Sequence, residues 1–127
     1  MAISALTTGA QTVTATGAVT ATTGLDISGT TGDCTVHVRV QALTAVTGTP
    51  KASIQLEDSV NGFTAAIANK VIEIQGPVAT TSEVHFLWRK YELPNVRFGT
   101  TSAVLRLNVS VLSGTTPSLT LDAWLET

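Results

Sequence analysis

Residues 34–43 have the sequence CTVHVRVQAL, in which every second residue is apolar. Successive side chains of a β-strand point to opposite faces, so this alternation predicts a strand with one buried face. The apolar positions are Cys34, Val36, Val38, Val40 and Ala42.

The same period of two recurs along much of the chain. It predicts further strands over residues 51–57, 63–67, 70–74, 83–91, 103–112 and 119–126. Turn-forming residues separate these segments, and no segment has the period of an amphipathic helix. The chain is therefore predicted to be all-β, an antiparallel β-sandwich or a jelly roll.

Two finer expectations concern how these strands are arranged. Strands 34–43 and 51–57 flank the turn-like sequence 47–50, TGTP, which predicts a hairpin. Strand 83–91 carries apolar residues on both faces, which is typical of a central strand or of a contact surface.

The predicted core consists of the residues on the apolar face of each strand. They are Val36, Val38, Val40, Ile54, Leu56, Phe86, Leu105, Leu107, Val109, Leu119 and Leu121.

Composition limits the classes of protein to which the chain can belong. Its 127 residues fit one domain, residues 1–127, with 43% hydrophobic and only 13% charged residues. A net charge of −2 argues against nucleic acid as a partner. The single cysteine, Cys34, cannot form an intrachain disulfide and is expected to be buried. Neither a signal-peptide pattern nor an apolar run of membrane-spanning length occurs, so no membrane association is expected.

The first 32 residues differ from the rest because they are rich in Thr, Ala and Gly, and Asp26 is their only charged residue. Such a segment has a weakly specified strand register. Two alternatives follow from this composition. The segment forms edge strands of the sandwich, or it is an arm that orders against a neighbouring subunit.

The residues suited to catalysis are few. Ser82, His85 and Asp122 are the residue types of a hydrolytic triad, but no nucleophile elbow or glycine-rich oxyanion loop accompanies them. His37 and His85 are interpreted as strand residues on polar faces. We therefore predict no enzyme activity and no catalytic residues.

No cofactor or metal site is predicted either. Zinc usually takes about four Cys or His ligands, and the chain has three such residues in total. Glu57, Asp58 and Asn61 lack the alternating pattern of a calcium loop, which favours a plain turn.

Arginine, lysine and aromatic residues are concentrated between positions 88 and 106, a composition typical of protein interfaces. Trp124 is predicted to point outward from the last strand and is added to this set. The interface candidates are Trp88, Arg89, Lys90, Tyr91, Arg97, Phe98, Arg106 and Trp124. The alternative is a solvated sheet face, where the cations pair with Glu83 or Glu92.

Three stretches resemble small structural proteins of tailed bacteriophages, above all capsid decoration (cement) proteins. They are residues 53–63, SIQLEDSVNGF, residues 86–91, FLWRKY, and residues 114–125, GTTPSLTLDAWL. The resemblance implies a β-sandwich or jelly-roll protein that binds the outer capsid at three-fold positions, commonly as a trimer. It implies no catalytic residues.

On this basis we expect a virion protein that is made in the host bacterial cytoplasm and decorates the capsid. Its partners would be the major capsid protein or another virion protein, together with copies of itself in a homotrimer. A phage tail or head–tail joining protein is the first alternative. A carbohydrate-binding module is the second, and its stacking platforms would come from Trp88, Tyr91 and Trp124.

Overall fold

A computed structural model describes residues 3–7, 9–19, 24–59 and 71–127. Within these residues, ten strands form two five-stranded antiparallel sheets that pack face to face as a β-sandwich. The all-β prediction is therefore confirmed. The predicted strand 63–67 and Asn61 lie outside the described residues. In the part of the chain that is described, no helix has the length and apolar character needed to cross a membrane.

The strands are numbered here in chain order. They are β1 (Ile3–Ala5), β2 (Gln11–Val13), β3 (Gly17–Ala18), β4 (Leu25–Asp26), β5 (Thr35–Thr44), β6 (Thr47–Asp58), β7 (Val71–Gln75), β8 (Val84–Arg89), β9 (Val104–Thr115) and β10 (Ser118–Glu126). Two 3₁₀-helices, Thr80–Ser82 and Lys90–Glu92, flank β8.

The first sheet has the strand order β1-β10-β5-β8, with β2 also paired to β10. The second sheet has the order β3-β9-β6-β7, with β4 also paired to β9. The four longest strands thus lie in the middle of the sheets, and the short strands lie at their edges.

The central strands of the two sheets are continuous with each other. The β5–β10 pairing reaches Thr44 opposite Ser118, and the β6–β9 pairing starts at Thr47 opposite Thr115. The two chain segments therefore run side by side through both sheets, and they bend together where they pass from one sheet to the other. We call residues 35–58 and 104–126 the folded ribbon.

The predicted hairpin between strands 34–43 and 51–57 is wrong, because β5 and β6 lie in different sheets. Residues 47–50 belong to β6, and the pairing with β9 shifts register between Thr47 and Lys51. Proline lacks a backbone donor and is tolerated in strands mainly at edges and bulges. The TGTP sequence therefore marks an irregular start of β6, not a hairpin turn.

Gly114 occupies the bend of the folded ribbon. Its φ of 112° is a conformation that residues with side chains rarely adopt. A Cβ atom at this position would lie 2.8 Å from the Cβ atom of Ala45 on the neighbouring segment. The bend therefore requires glycine both for its backbone conformation and for the close approach of the two segments.

The predicted core is confirmed, with one exception. Ten of its members are buried between the sheets, and Phe86 is only partly buried against them. Phe86 lies on β8, which is an edge strand in the described structure; of the two expectations for this strand, the central position is wrong and the contact surface stays a prediction. Cys34 is buried, as predicted, and burial raises the pKa of its thiol.

The described part of the N-terminal segment belongs to both sheets. Leu6, Val19 and Ile27 are buried in the core. The Leu6 backbone N–H donates to the Ala123 carbonyl oxygen at 3.0 Å, and the Val19 N–H donates to the Leu107 oxygen at 2.9 Å. Of the two alternatives for residues 1–32, the described residues form edge strands.

Replacing Leu107 with alanine is expected to lower the free energy of unfolding by about 2–5 kcal/mol, because it removes buried methyl groups and leaves a cavity. Val111→Ala on the same strand is the matched control. Val111 is 46% exposed, and its loss should change stability by less than about 0.5 kcal/mol. Urea unfolding measures both variants. A loss below about 1 kcal/mol for Leu107→Ala would place this side chain outside the core.

Gly114→Ala is expected to destabilise the protein by more than about 1 kcal/mol, since the new Cβ would meet Ala45 at an unfavourable φ. Gly29→Ala is the control, because nothing lies within 4 Å of a Cβ atom there. Thermal unfolding of the two variants checks the comparison. Equal midpoints would show that the bend tolerates a side chain.

Candidate functional site

The outward face of the first sheet carries a connected group of polar and aromatic side chains. Strand pairing creates the group, because Trp124 lies opposite His37, and Arg39 lies opposite both Asp122 and His85. We call the group the outer-face cluster. Its members are His37, Arg39, His85, Asp122, Trp124 and Glu126.

Arg39 and Asp122 form a two-pronged ion pair. The Arg39 Nε donates to Asp122 Oδ1 at 2.9 Å, and Nη2 donates to Oδ2 at 2.7 Å. The hydrogen bond to Asp122 raises the pKa of the Arg39 guanidinium above its usual value. Glu83 lies 4.0 Å from the same guanidinium. This geometry fixes the direction of the Arg39 side chain across the sheet.

Trp124 points outward, as predicted, but its ring is occupied by neighbours. The His37 ring is stacked on it with a centroid distance of 5.0 Å and an interplanar angle of 7°. The Arg39 guanidinium carbon lies 5.5 Å from the Trp124 ring centroid, within cation–π range. The indole is therefore half-buried and held within the cluster.

The two histidines of the chain meet at the centre of the cluster. His37 Nδ1 lies 3.0 Å from His85 Nε2, a distance at which one ring nitrogen donates and the other accepts. The other nitrogen of His37, Nε2, lies 3.6 Å from Glu126 Oε1. His37 Nε2 is a buried atom without a hydrogen-bond partner among the described residues. The His37 side chain is 13% exposed, whereas His85 is exposed to solvent.

Two residues of the possible Ser82–His85–Asp122 triad, His85 and Asp122, contact other side chains. Asp122 holds Arg39, and His85 Nε2 faces His37. Ser82 belongs to the 3₁₀-helix that precedes β8. The histidine and the carboxylate thus contact different partners.

A second surface lies at the end of the sandwich where β8 ends. We call residues 90–98 the Tyr91 loop. Leu93 and Val96 anchor the loop in the core, and Phe98 packs partly against it. Tyr91 is 78% exposed and stands between two shallow depressions. An aromatic side chain on an anchored loop is therefore presented to solvent.

Lys90 joins the Tyr91 loop to the N-terminal segment. Its ammonium group donates to the carbonyl oxygens of Thr31 and Gly32, at 3.1 and 3.2 Å. The same group lies 5.9 Å from the ring centroid of Phe98. Lys90 therefore helps to fix the loop while its positive charge stays near the surface.

The eight interface candidates do not form one surface. Arg89, Lys90, Tyr91, Arg97 and Phe98 lie on or beside the Tyr91 loop. Trp88 packs partly against the core, and Trp124 belongs to the outer-face cluster. Arg106 lies in the second sheet, where its Nε donates to Glu57 Oε1 at 2.9 Å.

Sequence reasoning missed two buried acidic residues at the end of β6. Glu57 is 4% exposed and pairs with Arg106, while Asp58 is fully buried. The Arg97 backbone N–H donates to Asp58 Oδ2 at 2.7 Å. The Asp58 carboxylate thus fastens the end of the Tyr91 loop to the second sheet, and the Glu57 carboxylate joins β6 to β9. The only sequence signal was two adjacent acidic residues at a strand end.

The described ranges contain no group of three or more His, Cys, Asp or Glu side chains arranged to hold a metal ion. A scan against protein-family models and searches of curated proteins and of solved structures find no match to the chain.

Proposed function

We propose that the chain is a non-enzymatic virion protein of a tailed bacteriophage, which binds the capsid exterior and stabilises it as a decoration (cement) protein. In this proposal it acts as a homotrimer on the major capsid protein. The resemblance of residues 53–63, 86–91 and 114–125 to such proteins motivates the proposal. The strand order and the exposed Tyr91 support it.

We interpret the strand order as that of a jelly roll. The pairs β1/β2 and β3/β4 each act as one interrupted edge strand, which leaves eight strands in two facing sheets. Jelly rolls recur in viral capsid proteins and in lectins. Because one fold serves many functions, the strand order supports the proposal only together with a surface suited to binding.

Tyr91 is the observation that carries the proposal. Tyr91 is 78% exposed, and tyrosine is enriched at the centres of interfaces. Buried Leu93 and Val96 hold its loop in place, so little conformational entropy would be lost on binding. Arg89 lines the same depression as Tyr91 and is exposed, and Arg97 on the same loop is exposed as well.

Such a surface is suited to a partner that presents an apolar pocket with an acidic rim. The aromatic ring would supply most of the binding energy, while the cations would select the orientation. In a homotrimer, three linked copies of this contact would add avidity, so that a modest single contact becomes effective.

The contacts of the two tryptophans argue against the carbohydrate-binding alternative. A sugar platform needs a free aromatic face, and Trp88 packs partly against the core while Trp124 is stacked by His37. Tyr91 remains as the exposed aromatic residue of the three proposed platforms. A tail or head–tail joining protein would use the same fold, so position in the particle distinguishes it.

The proposal predicts density for this chain on the outer shell of purified virions, as three copies around a three-fold position. Cryo-electron microscopy of particles with and without the protein tests this. Density at the tail or at the head–tail junction would contradict the decoration role and support the alternative.

Variants test the binding surface within the same experiment. Tyr91→Ala should weaken binding to shells at least tenfold, measured as occupancy at sub-saturating protein concentration, which corresponds to a loss of about 1.4 kcal/mol or more. Val46→Ala is the control, because Val46 is also highly exposed but follows the opposite end of β5. If only the Val46 variant lost occupancy, the interface would lie at the opposite end of the sandwich from Tyr91, which would contradict the proposal. Light scattering should give three times the chain mass of 13.1 kDa.

A further inference from the structure

The contact between His37 and His85 has the geometry of a metal-binding pair. The two side chains come from the neighbouring strands β5 and β8, and their facing nitrogens are 3.0 Å apart. Neutral imidazole is a common ligand of divalent transition metals. We propose that His37 Nδ1 and His85 Nε2 together bind one divalent transition-metal ion, with Cu²⁺ preferred.

The nitrogen separation is short enough for both nitrogens to bind one ion. With metal–nitrogen bonds of about 2.0–2.1 Å, two ligands at a right angle have nitrogens about 2.9 Å apart, and two tetrahedral ligands about 3.3 Å apart. The observed 3.0 Å lies between these two values and is also an ordinary hydrogen-bond distance, so the pair is compatible with either geometry. Adjacent positions at a right angle belong to the square-planar or tetragonal sites of Cu²⁺ and Ni²⁺. Cu²⁺ also binds nitrogen ligands more tightly than the other divalent metals of the series.

Glu126 is placed to orient His37 for this role. If His37 Nδ1 binds the ion, the proton of the neutral ring is on Nε2, and Nε2 lies 3.6 Å from Glu126 Oε1. Metal-binding histidines commonly direct their second N–H to a carboxylate, which fixes the ring orientation. At 3.6 Å this contact is longer than a hydrogen bond, and His37 Nε2 has no hydrogen-bond partner in the described structure, so Glu126 Oε1 would have to move closer to accept this proton.

The surroundings admit an ion from solvent. His85 is exposed, so one ligand is accessible before the ion reaches His37. The positive charge of Arg39 is engaged by Asp122 and faces Glu83, and Glu126 adds negative charge beside His37. Water or a partner's side chain would fill the remaining positions, since the described residues place two protein ligands here.

Trp124 supplies a direct readout. Its ring centroid lies 5.0 Å from that of His37 and 5.4 Å from that of His85. A paramagnetic ion held between the histidines therefore lies close to the indole and quenches its fluorescence. Trp88 faces the core, so quenching that is lost in Trp124→Phe is assigned to the cluster.

The test is a titration of the full chain with Cu²⁺ alone in a non-coordinating buffer. Binding is measured by tryptophan fluorescence and, separately, by calorimetry. We expect one bound ion per chain, quenching of Trp124, and weaker binding of Zn²⁺. His85→Gln and His37→Gln should each weaken Cu²⁺ binding at least tenfold. Trp124→Phe should keep the calorimetric binding and lose the quenching.

Leu87→Ala is the matched surface control, because Leu87 lies opposite His37 on β8 and is exposed. It should bind Cu²⁺ as the wild type does. The urea midpoint of each variant shows whether it remains folded, and His85→Gln changes an exposed residue. Undiminished Cu²⁺ binding in folded His85→Gln would overturn the proposal, as would failure of the wild type to bind. Equal or tighter binding of Zn²⁺ would overturn the preference for Cu²⁺.

Discussion

Backbone pairing between residues 35–58 and 104–126 is the interaction on which the other elements depend. These segments pair through both sheets and form the centre of each. Every other described strand pairs with one of their four strands: β1 and β2 with β10, β3 and β4 with β9, β7 with β6, and β8 with β5. The paired residues are far apart in the sequence. Bringing them together costs conformational entropy, and burial between the sheets compensates for this cost only after the strands have paired. The bend requires the two segments to approach each other closely at Gly114, where a side chain would meet Ala45.

The same pairing positions both candidate surfaces. Because β5 and β10 are adjacent, His37 stacks on Trp124 and Arg39 reaches Asp122. Because β8 docks on β5, His85 joins that group and the Tyr91 loop emerges at one end of the first sheet. The outer-face cluster is thus built on regular strands: β5 and β10 are paired on both sides, and the edge strand β8 is paired on one side. Such strands restrict side-chain positions more than loops do, which suits a site that depends on a 3.0 Å separation.

The sequence predicted the features that depend on local alternation. Val38, Leu107 and Leu121 were assigned to the core correctly, because the period of two determines which face each residue occupies. Strand partners are not a local property, so the expected β5–β6 hairpin was wrong and the contact between His37 and His85 was not foreseen. The buried Asp58 was assigned to a plain turn. Its carboxylate accepts a hydrogen bond from the Arg97 backbone N–H, which is distant in sequence, so the local pattern gave no sign of this contact. Phe86 was assigned to the right face, but its strand lies at an edge.

Residue-resolved native-state hydrogen exchange tests most directly whether the folded ribbon is one cooperative unit. Amides that pair β5 with β10 and amides that pair β6 with β9 are compared as denaturant is added below the unfolding transition. The account predicts that the slowest amides of both halves exchange with one opening free energy, equal to that of global unfolding. Opening of one half at a clearly lower free energy, with the other half still protected, would show two independent strand pairs and contradict the account.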